Sequence, residues 1–568
     1  MFKKILFILD NNQKKELFVF YFLSLLIIFF ELLSIGIIVP VVNIILDPTG
    51  TEKYLKYLPF EFSNVSSGAL TFYILAIFNI LIIFKNIFLF FALKFQAKFI
   101  GEYQQELQMK LFKNYLYQPI SDLVKNNISI INRNVIDLSS DYTNVLVGPL
   151  MTILSDIVLF ICILAILIFA EPQITIIGLI ITSIIGVSIF LINRKILISS
   201  GELYKFNKGE RIKSLNETFG AILEVKSFNK EILFTENFEK FTKILRDIQI
   251  KLSILGCLPK LIFEIMGICL ISIFFLILFN RMDSLDEVLA VVVLFAFAII
   301  KIAPLANKIL VNSQRIRYSQ PLINEIYSVL SNFVKKDSDT EKSLKFENKI
   351  DLANISYMYE KSNYILKDIN LSIKKNSFIA ITGKSGSGKT TLLKLILGLL
   401  KPTNGNILLD DKSIFSNLSL WQERVNFVPQ DVFILDDSLK NNITLETNKS
   451  KIDTDRLELA IKLANLKDFI DLLPNKDETI LGDKGSRISG GQKQRIGLAR
   501  AIYGDAEIII LDESTSSIDH INEAKIFKNL KELNQNKTII FVTHKSSMKD
   551  YFDEIYTIED GAIKKLIN

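Results

Sequence analysis

The stretch FIAITGKSGSGKT at residues 378–390 decides the fold of the C-terminal part of this chain. Its first residues predict a β-strand, GKSGSGKT fits the pattern GxxxxGK[ST], and a helical pattern, TTLLKLILGLL, follows at once. A strand, a glycine-rich loop and a helix in this order form the setting in which the pattern binds phosphate. The glycines let the backbone wrap an anion, and the N–H groups of the helix N-terminus point at it. An ordinary Gly/Ser turn before a helix is the alternative.

Two side chains at the end of this loop predict how a nucleoside triphosphate is held. Lys389 is expected to neutralise the β and γ phosphates of ATP, and the Thr390 hydroxyl is expected to ligate Mg²⁺. The predicted nucleotide contacts in this loop are Gly383, Lys384, Ser385, Gly386, Ser387, Gly388, Lys389, Thr390 and Thr391.

A second strand, EIIILDES at residues 507–514, ends in two acidic residues. We expect Asp512 to hold Mg²⁺ through water, and Glu513 to polarise the water that attacks the γ phosphate. Two acids after a strand are commonplace by themselves. Downstream of a phosphate loop they predict the second half of a site for phosphoryl transfer.

The N-terminal part of the chain has the composition of a membrane protein. Of the 568 residues 50% are hydrophobic, and the mean hydropathy is +0.34, above the usual range of soluble domains. An apolar run of about 20 residues crosses the hydrocarbon as a helix. Six such spans are predicted, at 17–46, 68–93, 144–170, 173–193, 254–280 and 286–306.

The distribution of lysine and arginine predicts the orientation of these spans. Residues 1–16, 94–141 and 193–253 carry 22 of them, whereas the three intervening connections carry 3. Positive residues are retained on the cytoplasmic side, so both termini are predicted to be cytoplasmic, in a bacterial cytoplasmic membrane. The long connections keep helical spacing, so the membrane helices are expected to extend into the cytoplasm and to end in short turns near residues 118–122 and 219–228.

The charge of the chain does not indicate a nucleic-acid partner. The net charge is +6, but the lysines and arginines are scattered among 60 acidic residues and form no basic stripe.

After the membrane spans, apolar runs rich in β-formers alternate with helical patterns, which is typical of an α/β domain with a largely parallel sheet. We predict a helical membrane domain at 1–320, a linker at 321–347 and an α/β P-loop NTPase domain at 348–568.

Between the two halves of the nucleotide site stands ISGGQKQR, residues 488–495, which resembles the signature sequence of ATP-binding cassette (ABC) proteins. The usual form is LSGGQ, from which Ile488 is a mild departure. The resemblance implies that Ser489, Gly490, Gly491 and Gln492 at a helix start offer a second anion site, to the γ phosphate of ATP held on another subunit. It therefore implies that two cassettes close over two ATP molecules, most simply as a homodimer.

Four further residues match motifs of this family. The resemblance implies that Tyr359 stacks on adenine, that Gln430 senses the γ phosphate and contacts the metal, and that Asp519 belongs to the D-loop. His544 matches the switch histidine, and it is one of only two histidines in the chain. With Glu513 and His544 both present, the site is expected to be competent for hydrolysis; Gln430 is counted with them among the catalytic residues.

The order of the two parts, membrane region first, resembles half-transporters of the exporter (type IV) class. The membrane part is also similar to the bacterial lipid-linked oligosaccharide flippases of protein N-glycosylation (the PglK family), through MFKK at the start, Pro259, Lys260 and Glu264, and the PLANK run at 304–308. This likeness implies flipping of a lipid-linked glycan within membrane lipid, and a short external helix at 52–60. No peptidase segment is expected before the first span.

Two alternatives remain open. One is an exporter of peptides or hydrophobic drugs, and the other is an ATP-gated channel or a regulatory ATPase, which the presence of Glu513 disfavours.

Charged residues inside the predicted spans bear on the cargo, because each is costly there unless it is paired or hydrated. Lys301 is the best candidate to meet a diphosphate, although pairing with Asp156 or Glu264 would also explain it. Lys260 and Lys308 are expected to extend to the inner interface. Glu31 and Lys85 also lie within predicted spans.

Overall fold

The structure is a computed structural model of the chain. It describes residues 10–37, 67–123, 127–281, 285–331, 344–359, 363–446, 448–544 and 546–566. The chain forms two compact units, Met1–Gln118 with Lys125–Val334, and Pro119–Val124 with Lys335–Asn568.

Every described element before residue 332 is helical. The helices are α1 (Asn11–Gly36), α2 (Ser67–Leu116), α3 (Ile120–Leu123), α4 (Ile128–Ala170, with two π-helical turns), α5 (Pro172–Gly220), α6 (Ile222–Ser227), α7 (Glu231–Arg281), α8 (Leu285–Tyr318) and α9 (Gln320–Ser331).

The predicted number of membrane spans is confirmed. Among the described residues, α1, α2, α4, α5, α7 and α8 are long and apolar enough to cross a membrane. The first predicted span reaches residue 46, but α1 ends at Gly36, and the rest of that span and the predicted external helix at 52–60 lie outside the described residues.

The helices are much longer than their apolar spans, as the charged helical spacing of the connections predicts. The turns at their ends also fall where they are expected: α3 is a single four-residue turn after α2, and α6 is a six-residue helix between α5 and α7. The predicted linker at 321–347 starts inside α9, and residues 332–343 are not described. The domain boundaries therefore remain predictions.

The helices of the first unit bury one side and expose the other. Two apolar cores lie between them, one around Tyr103, Leu107 and Leu146, the other around Phe274 and Phe295. Large apolar side chains remain on the outside, among them those of Phe18, Phe72, Phe169 and Ile192. Such faces are stable in contact with hydrocarbon chains.

The second unit is an α/β domain, as predicted, but it has two sheets. The strands are β1 (Lys349–Tyr357), β2 (Leu366–Lys374), β3 (Phe378–Gly383), β4 (Asn404–Leu409), β5 (Lys412–Ser413), β6 (Val425–Val428), β7 (Ile508–Asp512), β8 (Thr538–Val542), β9 (Glu554–Glu559) and β10 (Ala562–Leu566). One sheet has the order β2-β1-β4-β5 and is antiparallel, and the other has the order β10-β9-β3-β8-β7-β6.

The larger sheet is parallel except for β10, which pairs antiparallel with β9. The expectation of one largely parallel sheet therefore holds for this sheet and misses the antiparallel one. The burial of the strands differs between the two sheets. All five residues of β7 and of β8 are buried, as in a strand covered on both faces, whereas β2 alternates buried and exposed residues over most of its length.

The parallel strands place the site. The carboxyl ends of β3, β7 and β8 lie at one edge of the larger sheet, because these strands are neighbours and run in the same direction. The chain leaves them at Gly383, Asp512 and Val542, where the predicted functional residues begin.

The helices of this unit are α10 (Lys389–Ile396), α11 (Leu418–Gln422), α12 (Leu439–Thr444), α13 (Thr454–Leu463), α14 (Lys467–Asp471), α15 (Gly490–Tyr503) and α16 (His520–Leu533).

Candidate functional site

The predicted phosphate loop connects β3 to α10 and depends on glycine at two positions. Gly388 precedes the first helical residue with a φ of +102°, and a Cβ there would lie 2.9 Å from Leu366 Cδ2. Gly383 has a φ of +147°, and a Cβ there would lie 2.7 Å from the carbonyl oxygen of Ile558. Both positions are left-handed and crowded, so a residue with a side chain would distort the loop.

Lys389 is folded back onto the loop that carries it. Its side chain is buried, and its Nζ donates hydrogen bonds to the carbonyl oxygens of Gly383 and Lys384, both at 3.0 Å. Burial lowers the pKa of Lys389, and the nearby carboxylates of Asp512 and Glu513 oppose that shift. An anion in the loop would supply a further counter-charge to this ammonium group.

The remaining loop residues differ in their surroundings. Lys384, Ser385 and Gly386 are exposed, whereas Thr391 is buried in the first turn of α10. Ser387 Oγ is buried, and within the described part of the chain no group forms a hydrogen bond with it. A buried hydroxyl without a partner is costly, and a phosphate oxygen bound in the loop is a group that could satisfy it.

The two predicted Mg²⁺ ligands are already in contact. Thr390 Oγ1 donates a hydrogen bond to Asp512 Oδ2 at 3.2 Å, across the edge between α10 and β7. Asp512 is buried, and burial raises its pKa; the Thr390 hydrogen bond acts in the opposite direction, and the Glu513 carboxylate raises the pKa further. A hydroxyl and a carboxylate are oxygen donors of the kind that Mg²⁺ prefers, so these residues fit the ion.

Glu513 is the point at which the three predicted catalytic residues meet. His544 Nε2 lies 2.6 Å from Glu513 Oε1, and Gln430 Nε2 donates a hydrogen bond to Glu513 Oε2 at 3.0 Å. The Gln430 amide oxygen remains as the atom able to ligate a metal. Glu513 itself has a φ of +48°, which is a strained backbone conformation for a residue with a side chain. The residues that hold this geometry come from three separate loops.

The signature residues form the start of α15. Ser489 caps the helix: its Oγ accepts a hydrogen bond from Gln492 N at 3.3 Å, and Gln492 Oε1 accepts one from Ser489 N at 2.8 Å. This reciprocal arrangement is a capping box. Gly490 and Gly491 follow it in the first turn of the helix. The predicted D-loop residue, Asp519, caps the next helix, α16, by accepting hydrogen bonds from Asn522 N and Nδ2.

Tyr359 lies at the margin of the described residues. Its ring makes an edge-to-face contact with Tyr357 at 5.0 Å between centroids, and 39% of the side chain is exposed. Residues 360–362 are not described. Stacking on adenine therefore remains a prediction.

The second histidine, His520, is 89% exposed, as expected for a residue outside the site.

One side chain at the site was missed by sequence reasoning. Gln494 lies in the run ISGGQKQR, but the sequence pattern predicted no function for it. In the structure it is buried and hydrogen-bonded to Ser516 and Ser517. The spacing contains a signal, because Gln494 follows Gly490 by four residues and so lies on the same helical face.

Inside the membrane unit, the ion pairs differ from those expected. Lys301 Nζ lies 2.8 Å from Glu31 Oε1, so the expected partners Asp156 and Glu264 are wrong. Lys308, which is expected to extend to the inner interface, pairs with Asp156: its Nζ lies 2.8 Å from Asp156 Oδ1. The order of spans along the chain does not predict which helices become neighbours, and α1 turns out to contact α8.

Comparison with known families decides the classification. Residues 16–304 match the ABC transporter transmembrane region, and residues 366–516 match the ABC transporter family. The chain belongs to the ABC transporters. It is a half-transporter of the exporter type, a multi-pass membrane protein with one membrane region and one ATP-binding cassette, and it is an ATP hydrolase coupled to transport.

Relatives of this ABC exporter include proteins from plants and bacteria. It is 31% identical over 415 residues to the chloroplastic ABC transporter B family member 29 of Arabidopsis thaliana, covering 70% of this chain and 63% of that protein. It is 28% identical over 462 residues to the ATP-dependent lipid A-core flippase of Ralstonia nicotianae, covering 80% and 78%. The fold is similar to that of a bacterial Atm1-family ABC exporter with ATP bound, with a TM-score of 0.82 at 17% identity, covering 98% and 95%.

Proposed function

We propose that this ABC exporter is a flippase that moves a lipid-linked oligosaccharide or polysaccharide precursor across the cytoplasmic membrane. The observation that carries the proposal is a cluster of three charges between membrane helices. Glu31 of α1 lies within 2.8 Å of Lys301 on α8 and within 2.7 Å of Lys85 on α2. Two ammonium groups share one carboxylate, so the cluster has one positive charge in excess.

An excess charge inside a membrane is costly unless another group offsets it. In this cluster the Glu31 side chain is 8% exposed, whereas those of Lys85 and Lys301 are 16% and 32% exposed. Lys301 is the more accessible cation, and its Nζ also lies 5.5 Å from the ring centroid of Phe297. An anionic head group such as a diphosphate would neutralise the cluster. The Lys308–Asp156 pair, which is balanced, has no such need.

The relatives support a lipid cargo without identifying the glycan. The Ralstonia protein is named an ATP-dependent lipid A-core flippase. The likeness to lipid-linked oligosaccharide flippases in the membrane part supports the same class of cargo. We infer that the lipid part stays in contact with membrane lipid while the charged head group passes between the helices.

The ATP cycle that drives this movement uses the residues assembled at the edge of the larger sheet. Lys389 and the loop N–H groups hold the β and γ phosphates, and Tyr359 stacks on the adenine. Glu513 polarises the attacking water, and His544 and Gln430 keep its carboxylate in position. Mg²⁺, held by Thr390, Asp512 and Gln430, would neutralise charge on the phosphate oxygens.

The signature segment implies the assembly. Ser489, Gly490, Gly491 and Gln492, together with Asp519, serve the ATP bound to a second cassette, so one chain cannot complete its own site. We propose a homodimer with two equivalent ATP sites, closed by ATP and opened after hydrolysis. The excess of lysine and arginine in the long connections supports a cytoplasmic location of both termini. The domain division at residues 320 and 348 is retained as part of this proposal.

One cavity favours a second candidate, the export of a hydrophobic drug. A cavity of about 410 Å³ lies among α4, α5, α7 and α8, and its lining is almost entirely apolar; it includes Phe160, Phe190, Phe263, Leu270 and Ile302. Such a lining suits an uncharged hydrophobic molecule. We rank it second because it gives no role to the excess positive charge at Lys301.

Proteoliposomes containing the purified protein test the proposal. A fluorescent lipid-linked glycan added to the inner or outer leaflet should change leaflet with ATP, and Glu513→Gln should abolish this movement while ATP still binds. Movement of a fluorescent hydrophobic dye but not of the glycolipid would favour the second candidate. Passive ion conductance opened by ATP would contradict both and indicate a channel.

The charge cluster is tested separately by Lys301→Ala. We expect ATP hydrolysis stimulated by a lipid diphosphate to fall by about 10-fold, while basal hydrolysis is retained. Lys260→Ala is the control, because Lys260 is exposed on α7 and has no ion pair among the described residues. Unchanged stimulation in Lys301→Ala would remove the support for an anionic head group at this cluster.

A further inference from the structure

The signature helix α15 and the loop 514–519 that follows Glu513 are packed against each other without room for a side chain. A Cβ on Gly491 would lie 2.7 Å from the carbonyl oxygen of Ser517, and one on Gly490 would lie 3.4 Å from Ser517 Cβ. The first turn of α15 therefore rests directly on the backbone of the loop.

Gln494, one turn further along α15, attaches the loop to the helix. Its Nε2 donates a hydrogen bond to Ser516 Oγ at 3.0 Å, and its Oε1 accepts one from Ser517 N at 3.0 Å. Only 4% of Gln494 is exposed. Both ends of the amide are thus used on adjacent residues of the same loop, which neither a hydrocarbon side chain of similar length nor a carboxylate can reproduce in full.

The loop held by Gln494 begins at Glu513. Ser516 N donates a hydrogen bond to the carbonyl oxygen of Glu513 at 3.1 Å, and Glu513 N donates one to Val542 O at 3.1 Å. The left-handed φ of Glu513 is maintained by this turn, because strained backbone persists only where the surroundings hold it. A shift at residues 516–517 would therefore move the carboxylate of Glu513.

A second connection holds the far end of the loop. Arg495 Nη1 donates a hydrogen bond to the carbonyl oxygen of Asn465 at 2.6 Å, and Asn465 Nδ2 donates one to Asn522 Oδ1 at 2.6 Å. Asn522 in turn donates to Asp519, the last residue of the loop. The middle of the loop, at Ser516 and Ser517, and its last residue, Asp519, are thereby linked to consecutive residues of α15, Gln494 and Arg495.

From these contacts we infer that Gln494 is a positioning residue that couples the two ATP sites of a dimer. The signature segment of one cassette faces the ATP of its partner, whereas Glu513 acts on the ATP of its own cassette. Gln494 makes the two move as one body, so that closure of α15 on the partner's ATP sets Glu513 at the chain's own ATP. This inference rests on the two-cassette closure proposed above, but not on the identity of the cargo.

The test compares Gln494→Met, which keeps the length of the side chain but removes both hydrogen bonds, with the wild type. We expect kcat for ATP hydrolysis to fall by about 10-fold and its Hill coefficient for ATP to fall from above 1 toward 1, with little change in the affinity for ATP. Hydrogen exchange of the backbone amides at 514–519 should become faster. Gln535→Met, on an exposed turn after α16, is the control and should change none of these values.

Two further variants make the outcome decisive. Gln494→Glu keeps the acceptor for Ser517 N and should retain more of the cooperativity than Gln494→Met. Ser516→Ala removes one hydrogen bond at an exposed residue, so it should fold even if Gln494→Met does not, and we expect kcat to fall about 3-fold with a lower Hill coefficient. If Ser516→Ala and a folded Gln494→Met keep the wild-type Hill coefficient, the coupling role is wrong.

The underlying assembly is checked independently with Glu513→Gln. This variant should form a stable cassette dimer in ATP, detected by cross-linking, whatever residue is at position 494. Failure to form it would contradict the two-cassette closure. A dimer that forms normally, combined with unchanged cooperativity in the Gln494 variants, would contradict only the inference on Gln494.

Discussion

Lys301 and Glu31, which are 270 positions apart in the chain, form an ion pair at 2.8 Å inside the membrane unit. The pair joins α8 to α1, and Lys85 on α2 contacts the other oxygen of the same carboxylate, Oε2, at 2.7 Å. Glu31 therefore connects three helices with one side chain. Loss of the carboxylate would leave both ammonium groups without this counter-charge in an apolar region.

We predict that Glu31→Gln lowers the stability of the membrane unit. Breaking a buried pair by removing one partner costs about 3 kcal/mol or more, because the other charge remains buried. The expected result is a lower thermal midpoint of the helical circular dichroism signal in detergent or nanodiscs. The combination Glu31→Met, Lys85→Met and Lys301→Met should recover most of the loss, since it leaves no charge unpaired.

Glu264→Gln provides the control for this prediction. Glu264 is an exposed carboxylate within a membrane-spanning helix, and it has no ion pair among the residues that the structure describes. Its replacement should leave the midpoint nearly unchanged. Equal midpoints for Glu31→Gln, Glu264→Gln and the wild type would show that the three-charge cluster does not stabilise the helices.

A second prediction concerns the phosphate loop. Lys389→Ala should reduce ATP hydrolysis by at least about 100-fold, because a buried cation aimed at the phosphates contributes most where water is excluded. Binding of a fluorescent ATP analogue should weaken in parallel. The control is Lys401→Ala, which removes an exposed lysine beyond the end of α10. Undiminished hydrolysis in Lys389→Ala would refute the assignment of the loop.

The contact between Thr390 and Asp512 predicts a dependence on Mg²⁺. Removing the ion with EDTA should abolish hydrolysis. Thr390→Val, which keeps the shape of the side chain but lacks the hydroxyl, should raise the Mg²⁺ concentration needed for half-maximal hydrolysis about 10-fold. Thr390→Ser keeps the hydroxyl and should stay close to the wild type. A Mg²⁺ requirement that is the same in both variants would argue against Thr390 as a ligand.

Asp553 predicts how the cassette responds to acid. Burial tends to raise the pKa of Asp553, but hydrogen bonds from Lys531 Nζ at 2.6 Å and Phe378 N at 2.7 Å outweigh it and lower the pKa below its usual value. A carboxylate with a lowered pKa stabilises the folded state above its unfolded pKa, and this stabilisation is lost as the pH falls through the folded value. The free energy of unfolding should therefore decrease below about pH 5.

The measurement uses the one tryptophan of the chain, Trp421, which is fully buried in the cassette and donates a hydrogen bond to the carbonyl oxygen of Ile396 at 2.8 Å. Its fluorescence during urea unfolding reports on this unit within the full chain. Asp553→Asn should be less stable at pH 7 and should lose less stability between pH 5 and pH 3. Asp471→Asn, at an exposed helix end, should follow the wild type. Parallel pH curves for Asp553→Asn and the wild type would contradict the role of this carboxylate.

Much of the architecture could be predicted from local patterns. Six apolar runs predict six membrane helices, and the structure has six that are long and apolar enough. The run of apolar residues before Asp512 predicts a strand, and β7 (Ile508–Asp512) is that strand. These predictions succeed because hydrophobic length and periodicity act within a single element, whatever its neighbours are.

The antiparallel sheet shows where local patterns were insufficient. Which of its strands pair depends on contacts between residues far apart in the chain, such as Ile350 with Leu409. The same holds for Gln494. Its position on a helix is evident from the sequence, but its partners Ser516 and Ser517 are brought to it only when α15 packs against the loop after β7.

By itself, the sequence determined that this chain has a membrane part and a cassette, and it predicted which residue types would meet the phosphates of ATP. Motif spacing suffices for this, because the phosphate loop and the strand ends are local structures. The tertiary structure decided that Lys301 pairs with Glu31, that Lys308 pairs with Asp156, and that His544 and Gln430 both reach Glu513. Such pairings depend on which helices and loops become neighbours, and that is set by the packing of whole elements.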